Sequence, residues 1–244
     1  MPTFKLILEY DGTSYAGWQR QPDQPTVQAA LEDAIQKVTQ THIAVIGAGR
    51  TDTGVHALGQ VVSFRSDKPL SPRDWRRALN AHLPPDISVQ AAESVSDDFH
   101  ARHWAKAKQY EYRILHQPDR PALERNRAWH IYGPLDLDNV QTAASLLLGR
   151  HDFSSFQGHP TDTKDPICNL ERLDLLQEGP KVRLVFVADR FLKQMVRAIV
   201  GTLVEVGQGK RQPQAMKDIL ETKDRRAAGY TAPPQGLYLV RVEY

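Results

Sequence analysis

The sequence predicts an α+β fold of two tandem ferredoxin-like (βαββαβ) halves, with mainly antiparallel sheets flanking a central cleft. Three observations lead there. Short runs alternate apolar and polar residues, and longer runs between them repeat at helical spacing. In the first hundred residues these segments follow the order strand, helix, strand, strand, helix, strand. From Lys106 a strand opens a similar series without any repeat of sequence, which divides the chain into residues 1–105 and 106–244.

The elements follow in order. Phe4, Leu6, Leu8 and Tyr10 alternate with Lys5, Ile7 and Glu9, the period of a strand with one buried face, and Asp11-Gly12 ends it. Thr26 caps a helix in which Val27, Ala30, Leu31, Ala34, Ile35 and Val38 keep i, i+3, i+4 spacing. His42–Ile46 and Gln60–Phe64 read as strands on either side of a glycine-rich loop. Ser71-Pro72 caps a second helix, with Trp75, Ala78, Leu79 and His82 at helical spacing up to Leu83 before Pro84-Pro85 stops it. Ile87, Val89 and Ala91 alternate in a fourth strand.

In the second half, Lys108–Leu115 puts Tyr110, Tyr112 and Ile114 on one strand face. Asp138 is the expected cap of a helix with Val140, Ala143, Ala144, Leu147 and Leu148 inward and Gly149 at its end. Residues 150–166 read as a long polar loop. Strands at Ile167–Leu176 and Val182–Ala188 meet at Glu178-Gly179-Pro180. A long apolar helix over Phe191–Val206, a short one over Gln214–Glu221 and a closing strand at Leu237–Val242 complete the half.

Composition narrows the function classes. With 244 residues, 41% hydrophobic and 25% charged, the chain is long enough to bury large cores and is not disordered in composition. A net charge of +2 permits an anionic partner. Basic clusters at Arg73, Arg76 and Arg77, at His100 to Lys108, and at Lys223 to Arg226 are interleaved with Trp75, Trp104 and Tyr110, which suggests RNA more than a membrane. The single Cys168 excludes an intrachain disulfide, and the nine histidines show no metal-ligand spacing, so no metal is expected. Met1–Leu8 lacks a signal-peptide pattern and no run suits a membrane span, so the expected location is the cytoplasm.

Chemistry concentrates in Gly47-Ala48-Gly49-Arg50-Thr51-Asp52-Thr53-Gly54-Val55-His56-Ala57, where four glycines, counting Gly59, surround one carboxylate. A plain Asx-turn explains Asp and Gly in any loop, although the length and apolar flanks of this one argue for more. A dinucleotide fingerprint fails because Asp52 replaces its third small residue and a strand follows where a helix is required. An acid-protease triplet at Asp52-Thr53-Gly54 needs a second copy, absent from the chain, and Arg50 favours the ionised carboxylate where the protease needs a shared proton. A lone ionised carboxylate, acting as nucleophile or base, remains.

The run Gly49-Arg50-Thr51-Asp52-x-Gly54-Val55-His56-Ala57 resembles the signature of the TruA family of tRNA pseudouridine synthases. So do Asp11-Gly12-x-x-Tyr15-x-Gly17-Trp18-Gln19, Lys108-x-Tyr110 and Met195-Val196-Arg197-x-x-Val200-Gly201, and the likeness extends to Pro234-Gln235-Gly236-Leu237. The resemblance implies a homodimeric enzyme that needs no cofactor and isomerises uridines at positions 38 to 40 of the tRNA anticodon stem-loop. It implies Asp52 as the catalytic residue and favours Tyr110, which otherwise reads as core, as the contact for the extruded base, and Arg197, which otherwise reads as part of a solvated stripe with Lys193, as the partner of Asp52. Arg50, from its place beside Asp52, would contact phosphate or fill the space the base leaves. The reaction breaks N1–C1′ and joins C5–C1′. Whether the aspartate attacks C1′, adds to the uracil or takes the 2′ proton stays open, and each route needs it deprotonated and water excluded. Trp18 either meets nucleic acid or anchors its loop on the core, and His56 is expected to fix the loop by hydrogen bonding.

Two rivals stand beside the synthase. A non-catalytic RNA-binding module of ferredoxin-like sheets is the nearer, although the Gly-aromatic strand signature of RNA-recognition motifs is missing. A hydrolase built on Asp52-Thr53-Gly54 requires the second triplet from another subunit.

Overall fold

The computed structural model describes residues 1–161 and 163–244, and Asp162, within the expected polar loop, lies outside them. In chain order the elements are β1 (Thr3–Tyr10), α1 (Val27–Thr39), β2 (Ile46–Gly47), β3 (His56–Arg65), α2 (Pro72–Asn80), β4 (Ile87–Val95), β5 (Ala107–His116), β6 (Trp129–Ile131), α3 (Leu137–Ser145), β7 (Gly149–Asp152), β8 (Ile167–Glu178), β9 (Lys181–Ala188), α4 (Met195–Gly207), α5 (Ala215–Thr222) and β10 (Leu237–Glu243). The fold is mixed α+β; β1 with β3 and β4, β2 with β3, β5 with β9, β7 with β8 and β8 with β9 pair antiparallel, while β10 with β3 and β5 with β6 pair in parallel. Two compact units divide the chain, Met1–Lys106 with Tyr238–Tyr244, and Ala107–Leu237. Among the described residues no helix is long and apolar enough to cross a membrane.

In the first unit the strands run β4-β1-β3-β10, with β2 also on β3. The alternation of β1 buries Phe4, Leu6, Leu8 and Tyr10. Thr26 caps α1 by accepting from the Ala29 N–H at 3.3 Å, and Val27, Leu31, Ala34 and Ile35 face inward. Ser71 caps α2 in the same way, accepting from the Asp74 N–H at 3.2 Å. Trp75 is fully buried, 5.5 Å from the ring of Phe4 and edge-on to Phe64 at 5.0 Å, so α2 is fastened to the sheet by an aromatic cluster. Such rings bury ~150–250 Å² each and dominate the energetics of a core.

In the second unit the strands run β5-β9-β8-β7, with β6 on β5. Helix α4 is apolar around nearly its whole circumference, and Ala198 to Val204 are buried without a break, as expected of a core helix.

Several boundaries differ from the sequence reading for identifiable reasons. β2 shrinks to two residues because the Val45 N–H, which a ladder would use, donates instead to the Glu32 carboxylate at 3.2 Å. The cap of α3 is Asp136, which accepts from Asn139 N–H at 2.9 Å, and the helix stops at Ser145. Gly149, expected at the helix end, begins β7 with φ +100°, so part of the expected loop is strand. α4 starts at Met195, after Gln194 takes a left-handed conformation. The short β6, Trp129-His130-Ile131, does not figure in the sequence reading because three residues are too few for alternation to mark a strand. The closing strand, counted by its order with the C-terminal half, pairs in parallel with β3 in the first unit, Tyr238 opposite His56.

Candidate active site

Asp52 lies half-buried in the connection between β2 and β3. A turn follows it, closed by the Val55 N–H on the Asp52 carbonyl at 3.1 Å, with Gly54 at φ +75°. Thr51, immediately before it, is buried and held twice. Its carbonyl accepts from the Trp18 N–H at 3.0 Å, and its hydroxyl lies 2.8 Å from that of Tyr10. Burial pushes the Tyr10 phenol up, outweighing the hydrogen bonds with Thr51 and Gln60 that lower it, so a neutral hydroxyl braces the loop. Gln60 completes the brace by donating Nε2–H to the Gly49 carbonyl at 2.8 Å.

The loop after β1 forms the other wall. Gly17 has φ +95°, and a Cβ there would sit 2.6 Å from the Thr51 carbonyl oxygen, so only glycine permits this approach. Trp18 is 2% exposed and packs on Tyr10 at 6.2 Å, which settles its role as the anchor of its loop. Glu32, also buried, accepts from Arg20 Nε at 2.9 Å and Gln28 Nε2 at 2.9 Å, clamping that loop to α1. Glu32 is buried while Arg20 is 45% exposed, so removing the arginine would leave the carboxylate without its counter-charge. Gly12 N–H donates to His56 Nδ1 at 3.1 Å, with Asp11 Oδ1 3.0 Å from the same nitrogen, and the imidazole stacks on Tyr238 at 4.7 Å. His56 therefore ties the turn after β1 to the start of β3. Arg50 is exposed, and its Nε donates to Gln19 Oε1 at 3.0 Å.

Tyr110 and Arg197 belong to the second unit, on β5 and in the first turn of α4. Tyr110 is 7% exposed and meets Phe191 edge-on at 4.9 Å. Arg197 is half-buried, not part of a solvated stripe, and its Nε donates to the Ala232 carbonyl at 2.8 Å while the Ala232 N–H donates back to the Arg197 carbonyl at 3.0 Å. One residue on, the Pro233 carbonyl accepts from the Tyr112 hydroxyl at 2.7 Å. Burial raises the Tyr112 phenol well above its ordinary range, and the positive charge of Arg197 acts against it, so these two side chains share one neighbourhood. Close contact between α4 and the segment 230–232 depends on Gly201, where a Cβ would fall 1.8 Å from the Tyr230 carbonyl oxygen.

The structure thus keeps Asp52 and Arg50 on one loop of the first unit and Tyr110 and Arg197 in the second. Sequence reasoning missed the residues that hold them. Tyr10 shows as the last inward position of β1, but nothing local names Thr51 as its partner. The 230–233 strap has one signal, a glycine inside a helical pattern at Gly201, a placement that usually has a packing reason.

The comparisons with known proteins bear on this architecture. A profile of the family described as tRNA pseudouridine synthase matches residues 6–103 and 143–244. Arg50, Asp52 and Arg197 fall inside the match, and Tyr110 falls outside it. The chain is 42% identical to tRNA pseudouridine synthase A 2 of Clostridium perfringens over 100% of both chains. It is 45% identical to tRNA pseudouridine synthase A of Allorhizobium ampelinum, covering 100% of this chain and 95% of the relative. With the protein of the same name from Afipia carboxidovorans identity is 46% over 100% of both. A family profile that covers most of the chain, joined to full-length identity at this level, places it among isomerases: the chain belongs to the tRNA pseudouridine synthase family.

Proposed function

We propose that this chain converts uridine to pseudouridine at positions 38 to 40 of the tRNA anticodon stem-loop, with Asp52 as the catalytic carboxylate and Arg50, Tyr110 and Arg197 as its substrate-binding residues. The single observation that carries the reading is the bracing of the Asp52 loop. Its backbone is held at Thr51 by both the Tyr10 hydroxyl and the Trp18 N–H, and at Gly49 by Gln60, while the carboxylate-bearing residue itself stays half-buried. A carboxylate that must act on one atom of a nucleotide needs such pre-set positioning, because small misplacements at a reacting centre are expensive.

The arginines suit an anionic polynucleotide. A guanidinium held through Nε, as Arg197 is by Ala232 and Arg50 by Gln19, is restrained before the substrate arrives. Uracil must leave the stack to react, and Tyr110 supplies an aromatic surface for it. The chemistry replaces N1–C1′ by C5–C1′ within one nucleotide, so neither electrons nor groups are exchanged with a cofactor. In this reading residues 1–105, joined by the closing strand, form a ferredoxin-like half that carries the catalytic loop, and the rest of 106–244 forms a second that carries Tyr110 and Arg197. The protein works in the cytoplasm as a homodimer, without metal or membrane.

The test is incubation of the purified chain with unmodified tRNA, with and without a chelator, followed by chemical mapping of pseudouridine. Modification confined to positions 38 to 40 and indifferent to chelation is expected. Binding without isomerisation would instead leave the non-catalytic RNA-binding module.

A further inference from the structure

Between β5 and α3 the chain makes an excursion that the proposed reaction does not use. Arg120, Arg125, Trp129 and His130 from it, with Pro233 and Gln235, surround a cavity of about 540 Å³. That volume falls within the ~300–1,000 Å³ typical of ligand sites. Among the described residues no carboxylate lines it, although Asp119 and Glu124 are the sequence neighbours of the two arginines.

The walls are set in advance. The Trp129 ring is edge-on to Tyr112 at 6.2 Å and to Tyr230 at 5.7 Å. His130 Nε2 lies 2.9 Å from the Gln117 carbonyl, and Arg125 donates to the Ala122 carbonyl at 2.5 Å. Pro233 lines the cavity and its carbonyl holds Tyr112, next to the Ala232 carbonyl that holds Arg197. The cavity and the Arg197 strap therefore share a stretch of backbone.

We infer that this cavity is a second contact for the substrate RNA, taking a backbone phosphate between Arg120 and Arg125 with the adjoining base or ribose against Trp129. Two guanidinium groups, an aromatic wall and no anion form the complement of a nucleotide. The inference rests on the reading of the chain as a tRNA-binding enzyme. Its competitor is a protein surface, since Leu123 and Tyr132 are 90% and 76% exposed on the same excursion.

The full chain decides between them. Filter binding of unmodified tRNA is measured across a salt series, together with pseudouridine formation, for wild type and for the pair Arg120→Gln, Arg125→Gln. The pair Lys210→Gln, Lys217→Gln, two exposed lysines outside the cavity lining, serves as a charge control. Loss of that phosphate contact should flatten the salt dependence by about 1 in log–log slope and weaken binding about 10- to 30-fold at 0.15 M salt. KM should rise by a similar factor, with kcat at saturating tRNA and the unfolding temperature unchanged. Binding and salt slope equal to those of the lysine pair would overturn the inference, as would a double variant that keeps tRNA affinity but loses self-association. If the wild type binds tRNA without making pseudouridine while the arginine pair weakens binding, the functional reading falls and the inference stands.

Discussion

Gly201→Ala isolates the strap that holds Arg197. The added methyl would stand 1.8 Å from the Tyr230 carbonyl oxygen, and an ordinary contact of about 3.5 Å requires the strap to retreat by about 1.7 Å. Backbone is on the other side of the clash, so no side-chain rotation relieves it. Ala232 moves with the strap, and a 2.8 Å hydrogen bond from Arg197 Nε does not survive that displacement. Losing a hydrogen bond to a charged group removes about 1.5–3 kcal/mol, and overpacking a well-filled interior adds about 1–3 kcal/mol. A loss of about 3–5 kcal/mol lowers Tm by about 6–20 °C in a chain of this size. Displacing Arg197 by more than an ångström should also slow single-turnover pseudouridine formation about 100-fold. Calorimetry and a tRNA time course check both numbers. A variant melting within about 2 °C of wild type, with its rate intact, would show that neither the close approach nor the strap matters.

Three further outcomes follow from the same structure. Tyr10→Phe removes the hydroxyl 2.8 Å from that of Thr51, which should lower stability by about 1–2 kcal/mol and reduce kcat at constant KM, read by denaturant unfolding and steady-state kinetics. Arg20→Gln takes the counter-charge from the buried Glu32 carboxylate and should destabilise by about 2 kcal/mol, whereas Asp33→Asn, on the exposed side of the same arginine, should cost under about 1 kcal/mol. Asp152 is penalised by burial, but hydrogen bonds from Ser154 and the charge of Lys223 outweigh this and hold its pKa below the ordinary value. A depressed folded-state pKa stabilises above the unfolded value, and that stabilisation disappears as pH falls through the folded one. Asp152→Asn should therefore melt lower than wild type at pH 7, with the gap closing in acid below the ordinary carboxylate range.

What the sequence disclosed depended on how local the physics was. Thr26 and Ser71 announce their helices because a cap and the N–H it satisfies lie within three residues. Trp75 shows as an inward position from spacing alone. β2 was misjudged because the group that takes the Val45 N–H, Glu32, sits on a helix, and an apolar run cannot advertise a side-chain competitor for its backbone. The closing strand alternates plainly, yet its parallel partner lies far back in the chain, beyond the reach of any pattern. Asp52 stood out by its glycine-rich surroundings. Of the residues that brace it, Trp18 was legible only as one of two readings of its loop, and Tyr10 looks like any buried aromatic until the fold brings it against Thr51.

Single-turnover conversion of unmodified tRNA by Asp52→Asn, with tRNA affinity measured in parallel, tests the proposed catalytic role of the Asp52 carboxylate most directly. The expected result is tRNA bound within a few-fold of wild type and no pseudouridine formed at any enzyme concentration. Wild-type conversion by that variant would contradict the account outright.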